Sequence, residues 1–336
     1  MQLSDFRHFR DLLIERRQNL TDWLNSGAGL RDEEAAAVRQ LMGQIKDALG
    51  RIESGSFGKC DICHDGIEPD RLEIQPIRRV CLECISEAEK AALEEDLFLA
   101  SKIHRALLPQ RIPAIPRFDL AVKSLAASDI GGDYYDFLEG PDGNTMRIVI
   151  ADAMGHGLPA GLLMSNFQGA LRVLSADIDS PAPLVTRLNQ WICRNVPVTK
   201  FVSMVCLCLH KTSADETHIT FANAGHPPPI VFRDGGSVEL LEATGTVMGV
   251  HEDFRYDEGS LKLRAGDYLA LYTDGITEAQ NVSGEEFEQE RIVEFFRDRA
   301  GRPFDGVVDD LLLNVLDFTG GRRNADDITA IILHRK

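Results

Sequence analysis

No stretch of this 336-residue chain approaches the roughly 18 consecutive apolar residues that a membrane-spanning helix requires. The N-terminal MQLSDFRHFRDLL also lacks the continuous apolar segment of a secretory signal, so a cytoplasmic protein is expected. Basic residues are scarce: 36 Lys and Arg face 53 Asp and Glu, a formal net charge of -17. That balance disfavours nonspecific attraction to nucleic acid or anionic lipid, leaves neither nucleic acid nor a membrane as an expected partner, and favours divalent cations. Disulfides are not expected in a reducing compartment. Four of the seven cysteines form two CxxC pairs, which favours metal binding there. Cys193, Cys206 and Cys208 lie elsewhere, and the alternation of Cys206 and Cys208 in FVSMVCLCLH reads as two small core side chains on one strand face.

What is present suits a globular chain of one large core and smaller modules, with 44% hydrophobic residues. Phe6, Phe9, Leu13, Leu20 and Trp23 recur at spacings near three and four, as do Val38, Leu41, Ile45, Leu49 and Ile52. With SGAG between them, the two stripes predict an antiparallel helical hairpin over residues 1–55.

Residues 56–85 follow as a finger. Cys60 and Cys63 are two residues apart, Cys81 and Cys84 likewise, with seventeen residues between the pairs. This is the spacing of a closed four-thiolate zinc site, structural because no coordination position is left for a substrate. Four unrelated thiols would make the double spacing an accident. SGSFGKCDIC and CLEC, within roughly residues 30 to 90, resemble the DksA/TraR zinc-finger proteins, a family that binds RNA polymerase. The turn SGAGLRDEE does not reproduce that family's DxxDxA acidic tip. Between Arg51 and Lys90 six basic residues face nine acidic ones, which argues against a nucleic-acid-binding finger.

Ser86 and Glu89 form a capping box, after which Leu93, Leu97, Ala100, Ile103 and Leu107 follow at helical spacing until Pro109. Such a stripe is most often packed on its own domain. Its place between two modules also suits a short parallel coiled coil, so residues 86–110 are expected to form a linker helix that joins two copies of the chain.

From residue 111 to 336, strand-like runs (FDLAVKSL, TMRIVIAD, FVSMVCLCLH, THITFANAG, DYLALYTDG, DDITAIILH) alternate in groups with helical patterns near 158 to 176, 182 to 195, 285 to 299 and 304 to 318. This organisation predicts a layered α+β domain. Asp133, Asp152, Asp274 and the pair Asp326 and Asp327 all stand at strand ends, and in antiparallel sheets such ends can meet along one edge. Any one of them could cap a turn. All of them together would repel unless hard divalent cations with oxygen shells stabilised the cluster. Two such ions about 3.5 to 4 Å apart would activate a bridging water for attack on a phosphate ester.

AASDIGGDYYDF, ADAMGHGLPAGLLM, ANAGHPPPIV, LYTDGITEA and NADDITAIIL, in this order over about residues 95 to 336, resemble the motifs of the PPM/PP2C-type serine/threonine phosphatases, in particular the bacterial SpoIIE/RsbU branch. The resemblance implies an α-β-β-α sandwich of two antiparallel sheets, with two Mn2+ or Mg2+ at one end. Asp152 would bridge both ions, and the Ala153 carbonyl would complete one shell. Asp274 and Asp326 would hold the second ion, with Asp327 as the fallback for Asp326, and Asp133 would act near the first through water. It further implies a phosphoserine or phosphothreonine protein substrate, often an anti-sigma factor antagonist, and a linker that regulates and dimerises. Where eukaryotic-type relatives have a candidate acid histidine, this chain has Met154. His156 is read as shaping the turn and His226 as structural, and the phosphate-binding arginine of eukaryotic enzymes has no counterpart. The rival reading is an adaptor that binds RNA polymerase or another partner through the zinc hairpin, with a silent phosphatase domain.

Overall fold

The computed structural model describes residues 6–25, 32–141, 143–197, 199–210, 216–299, 303–322 and 325–336. Its contacts divide the chain into two compact units, Met1–Glu95 and Asp96–Lys336.

In the first unit, helix α1 (Arg7–Asn25) packs on α2 (Asp32–Ser54). Phe9 and Leu13, early in α1, share a core with Ile45, Ala48, Leu49 and Ile52, late in α2, so the helices run antiparallel as their stripes predict. The expected SGAG turn lies outside the described residues. Trp23, assigned to the stripe, is instead 43% exposed, because the shared core sits at the opposite end of the hairpin. The finger continues that core with Phe57, Ile67 and Leu72, the last from the short helix α3 (Pro69–Ile74). Arg51 near the end of α2 donates to the Lys59 carbonyl at 2.6 Å, and Arg79 bridges Asp61 at 2.6 Å and Asp47 at 3.2 Å, tying the finger to the helix that precedes it.

Helix α4 (Glu87–Leu107) opens with the capping box: the Glu89 amide donates to Ser86 Oγ at 3.2 Å and the Ser86 amide to Glu89 Oε2 at 3.1 Å. The boundary between the two units falls inside this helix. Beyond it, Ser101 and His104 are the buried side chains, with Ser101 Oγ donating to the Asp129 carbonyl at 2.7 Å. The predicted apolar stripe is left open, with Leu93, Leu97 and Ile103 at 44%, 40% and 57% exposure.

Among the described residues of the second unit, two five-stranded antiparallel sheets face each other. One carries, in spatial order, β1 (Phe118–Leu125), β10 (Ile328–Arg335), β9 (Tyr268–Tyr272), β6 (Ile230–Phe232) and β7 (Val238–Leu240). The other runs β2 (Asp133–Glu139), β3 (Thr145–Ala153), β4 (Val202–His210), β5 (Glu216–Ala224) and β8 (Gly259–Arg264). Side-chain alternation builds the layers. On β3, Ile148 and Ile150 meet Leu271, Ile331 and Leu333 between the sheets, while Val149, Ala151 and Ala153 meet helices α5 (Gly157–Ser175) and α6 (Pro181–Asn195) outside. Phe167 and Leu171 of α5 are fully buried there, each worth about 2 to 3 kcal/mol against exposure. On the other flank, α7 (Asp274–Thr277), α8 (Glu288–Asp298) and α9 (Val307–Phe318) cover Ala270, Tyr272, Ala330 and Ile332. This is the α-β-β-α sandwich that the resemblance implied.

Cys206 and Cys208 are both buried on the helix side of β4, as their alternation predicts. Arg147, also buried among apolar side chains, donates to the Ser175 carbonyl at 2.6 Å and to the Ile178 carbonyl, satisfying backbone oxygens at the end of α5.

Candidate functional site

The antiparallel pairing of β2 and β3 sets Asp133 directly opposite Asp152. Both therefore occupy the face that Ile148 and Ile150 present between the sheets, at the end of the sandwich. The opposing sheet supplies the rest. Tyr272 of β9 pairs with Ala330 of β10, and the Thr273 amide donates to the Thr329 carbonyl at 3.0 Å. Thr273 and Thr329 thereby point inward, and both hydroxyls donate to Asp133 Oδ2, at 2.9 and 2.6 Å. Asp274 does not close β9 as expected; it is the first residue of α7, immediately after the Thr273 N-cap. Asp326 and Asp327 stand just before β10.

The last two residues differ sharply. Asp327 is buried, with Oδ1 accepting from the Ala127 amide at 2.7 Å and Oδ2 from the Gly132 amide at 2.5 Å, so it pins the loop that leads into Asp133. Among the described residues Asp326 accepts only from the Asp327 amide, at 2.8 Å, and it lies within the electrostatic reach of Asp152 and Asp274. The Gly132 carbonyl in turn accepts from the Ala153 amide at 3.2 Å. A Cβ on Gly132 would stand 3.0 Å from the Ala153 carbonyl oxygen and 3.1 Å from that of Gly155, so a side chain there would press on both oxygens.

None of the five aspartates has a Lys, Arg or His partner within ion-pair distance among the described residues. The consequence is visible in their acidities. Burial, then the fields of Asp133, Asp274, Asp326 and Asp327, push the Asp152 carboxyl up to about 9. Burial pushes Asp133 up to about 8 against the opposing pull of the Thr329 and Thr273 hydroxyls. Asp274 is raised by burial and by Asp326, and the neighbouring Glu278 by burial and then by Asp274, Glu286 and Asp326. A cluster of oxygen donors that resists ionisation in its own field is the donor set that hard divalent cations stabilise. The aspartate oxygens are too widely spread to cage a single ion. Among the described residues, only the four cysteines gather three or more ligand atoms all within 4.8 Å. Ions at the aspartates would complete their shells with carbonyl and water oxygens, which is the habit of Mg2+.

Cys60, Cys63, Cys81 and Cys84 form that compact group. The Cys63 and Cys81 sulfurs lie 3.7 Å apart, close to the roughly 3.8 Å edge of a tetrahedron with Zn–S bonds of about 2.3 Å. The Cys63, Cys81 and Ile62 amides point at the Cys60 sulfur and lower it to about 6, whereas its neighbours raise Cys84 to about 12. Four thiols clustered at this spacing would hold a Zn2+ as thiolates, its binding displacing their protons.

Thr273 and Thr329 escaped the sequence reading. Their signal is a hydroxyl at the inward position of strands whose other inward residues are Leu269, Leu271, Ile331 and Leu333. Ser203, opposite Asp152 on β4, was also missed; its hydroxyl meets His226 Nδ1 at 2.7 Å. Burial pushes His226 down to about 3, and its amide donates to Asn223 Oδ1 at 2.9 Å. His156 is the exposed N-cap residue of α5 and makes no side-chain capping bond.

Residues 142–336 match the family described as Stage II sporulation protein E (SpoIIE), and residues 55–90 match the prokaryotic DksA/TraR C4-type zinc finger. The chain belongs to the SpoIIE family. Phosphoserine phosphatase RsbU of Bacillus subtilis is 29% identical over 247 residues, which cover 73% of this chain and 71% of the relative. Among solved structures, the RsbU and RsbW domains of Rv1364c from Mycobacterium tuberculosis align with a TM-score of 0.58 and 27% identity, over 68% of this chain and 63% of that one. The SiaA-PP2C domain of Pseudomonas aeruginosa gives a TM-score of 0.64 at 22% identity, over 75% of this chain and all of that domain, a likeness of fold.

Proposed function

We propose that this chain is a metal-dependent protein phosphatase that hydrolyses phosphoserine or phosphothreonine on a protein substrate, of the anti-sigma factor antagonist kind. The observation that carries the reading is the convergence of Asp133, Asp152, Asp274 and Asp326 at one end of the sandwich with no cationic partner among the described residues. The relative named phosphoserine phosphatase supports the same chemistry.

In this reading Asp152, opposite Asp133 on β3, and the Ala153 carbonyl would hold one Mn2+ or Mg2+, and Asp152 with Asp274 and Asp326 would hold the second. Asp326 is favoured over its fallback Asp327, each of whose oxygens already accepts from a backbone amide. Asp133 has one oxygen occupied by two threonine hydroxyls, which fixes its carboxylate and leaves Oδ1 to act through water. When bound, such cations supply Lewis acidity, neutralising phosphate charge and lowering the pKa of water. The protein's own share is to hold four carboxylates and a carbonyl on strand ends, a helix start and the turn before β10, so that little reorganisation is needed as charge develops.

The four cysteines hold one structural Zn2+, and the zinc module controls the catalytic unit through the linker helix. The exposed Leu93, Leu97 and Ile103 of α4 support a homodimer formed along that helix. The test is phosphate release from a phosphoprotein, or from p-nitrophenyl phosphate, with and without Mn2+ or Mg2+. Hydrolysis that persists in the Asp152→Asn and Asp274→Asn variants would refute the assignment of these residues.

A further inference from the structure

Hydrolysis of a phosphate ester needs positive charge where the phosphoryl oxygens arrive, and the aspartate cluster carries none of its own. One side chain beside the loop that follows Asp152 is suited to the task. Val202 pairs with Ala153 and Ser203 with Asp152, so Lys200 falls beside the loop that follows these two residues. The loop is fastened there by the Met154 amide, which donates to the Phe201 carbonyl at 3.0 Å. Lys200 Nζ lies 3.4 Å from the Met154 carbonyl oxygen and 3.4 Å from where a Cβ on Gly155 would stand. That long contact occupies one of its three donors, and among the described residues it meets no carboxylate. In a chain with 53 acidic residues, a partly buried lysine that meets no acid among the described residues, against the loop that follows Asp152, is unusual.

Among the described residues, Arg105 and Arg322 are arginines that line cavities with members of the cluster. Arg105 shares one of about 450 Å³ with Asp129, Asp133 and Asp327, and Arg322 one of about 370 Å³ with Glu278, Glu286 and Asp326, acids that would repel a phosphate. Lys200 meets no acid among the described residues. We propose that Lys200 binds the phosphoryl oxygens of substrate and product from the side of the Met154–Gly155 loop. This rests on the phosphatase reading and adds to it the anion-binding residue that the motifs do not contain.

The test uses the full chain loaded with zinc and Mg2+, comparing Lys200→Ala and Lys200→Arg with Lys262→Ala. The last deletes one charge on β8, at an exposed lysine paired with Glu216 at 2.9 Å. Inorganic phosphate is the probe, read both as a competitive inhibitor of p-nitrophenyl phosphate hydrolysis and by direct calorimetry. Loss of a charged hydrogen-bond donor should weaken phosphate binding by roughly tenfold to a hundredfold in Lys200→Ala. Lys200→Arg should recover most of the loss, and Lys262→Ala should stay within about twofold of the parent, as expected for an exposed pair. The Mg2+ concentration for half-maximal activity should not move in any of the three. Unchanged phosphate binding in Lys200→Ala would overturn the inference and leave the phosphatase reading intact. So would a Mg2+ midpoint that shifts as far as the phosphate constant, because Lys200 would then act on the loop. A parent protein that hydrolyses nothing with Mn2+ or Mg2+ would overturn both.

Discussion

Loading the aspartate cluster with a divalent cation should expel protons, and the number follows from the structure. With burial and mutual repulsion pushing Asp152 up to about 9 and Asp133 up to about 8, both carboxyls are expected to be largely protonated at pH 7 in the metal-free protein, so binding should release up to about two protons. Holding both ionised at pH 7 costs about 4 kcal/mol, three pKa units in all at about 1.4 kcal/mol each, and this opposes binding. The apparent affinity should therefore climb steeply from pH 6 to 9 and level off above. The same shifts bear on stability. Both groups have folded-state values above their unfolded ones, so their contribution is full below the ordinary carboxylate range and is lost as pH rises through about 8 and 9. The metal-free second unit should thus lose thermal stability toward alkaline pH, and Mg2+ should restore it. The assay is calorimetric titration of the zinc-loaded protein with Mg2+ in two buffers of different ionisation enthalpy. Release of fewer than about half a proton at pH 7 would show that the carboxylates are already ionised, and would refute the argument from burial and mutual repulsion.

Removing the Thr329 hydroxyl in Thr329→Val takes one donor from Asp133, so its carboxyl should rise further and half-maximal activity should need more metal at pH 7; an unchanged metal midpoint would contradict this. Gly275→Ala would place a Cβ 2.0 Å from the Asp327 carbonyl oxygen, so α7 must shift, with a loss of about 3 kcal/mol or more in denaturant unfolding and displacement of Asp274. Cys60→Ser should remove one zinc per chain by elemental analysis, and retention of the full zinc content would exclude the four-cysteine site. Paired Leu97→Glu and Ile103→Glu changes on α4 should convert a dimer to a monomer in sedimentation; a parent that is already monomeric at micromolar concentration would disprove the helix-mediated dimer.

Much of this molecule is legible in one dimension because its signals are local. The two CxxC pairs anticipate a thiol cluster, since both halves are short turns that present their sulfurs inward. The alternation in TMRIVIAD and FVSMVCLCLH predicts strands with two distinct faces, and β3 and β4 bury both. Strands β6 and β7, of three residues each, were not foreseen because so short a run shows no period. The apolar stripe of α4 was equally visible, but its periodicity says nothing of what covers it.

By itself the sequence determined which residues could carry chemistry: aspartates at strand ends, four cysteines at zinc spacing, glycines after Asp152. Only tertiary structure decided what surrounds each of them. Adjacent in the chain, Asp326 and Asp327 are indistinguishable by pattern, yet one is claimed by the Ala127 and Gly132 amides from about 200 residues away and the other is left to the cluster. The threonines that clamp Asp133 come from the opposing sheet, and Lys200 reaches the Met154–Gly155 loop only because β4 pairs with β3. The physical reason is the same each time. Acidity, ligand capacity and charge pairing depend on distances through space, and the chain sets those distances only after the two sheets have closed on each other.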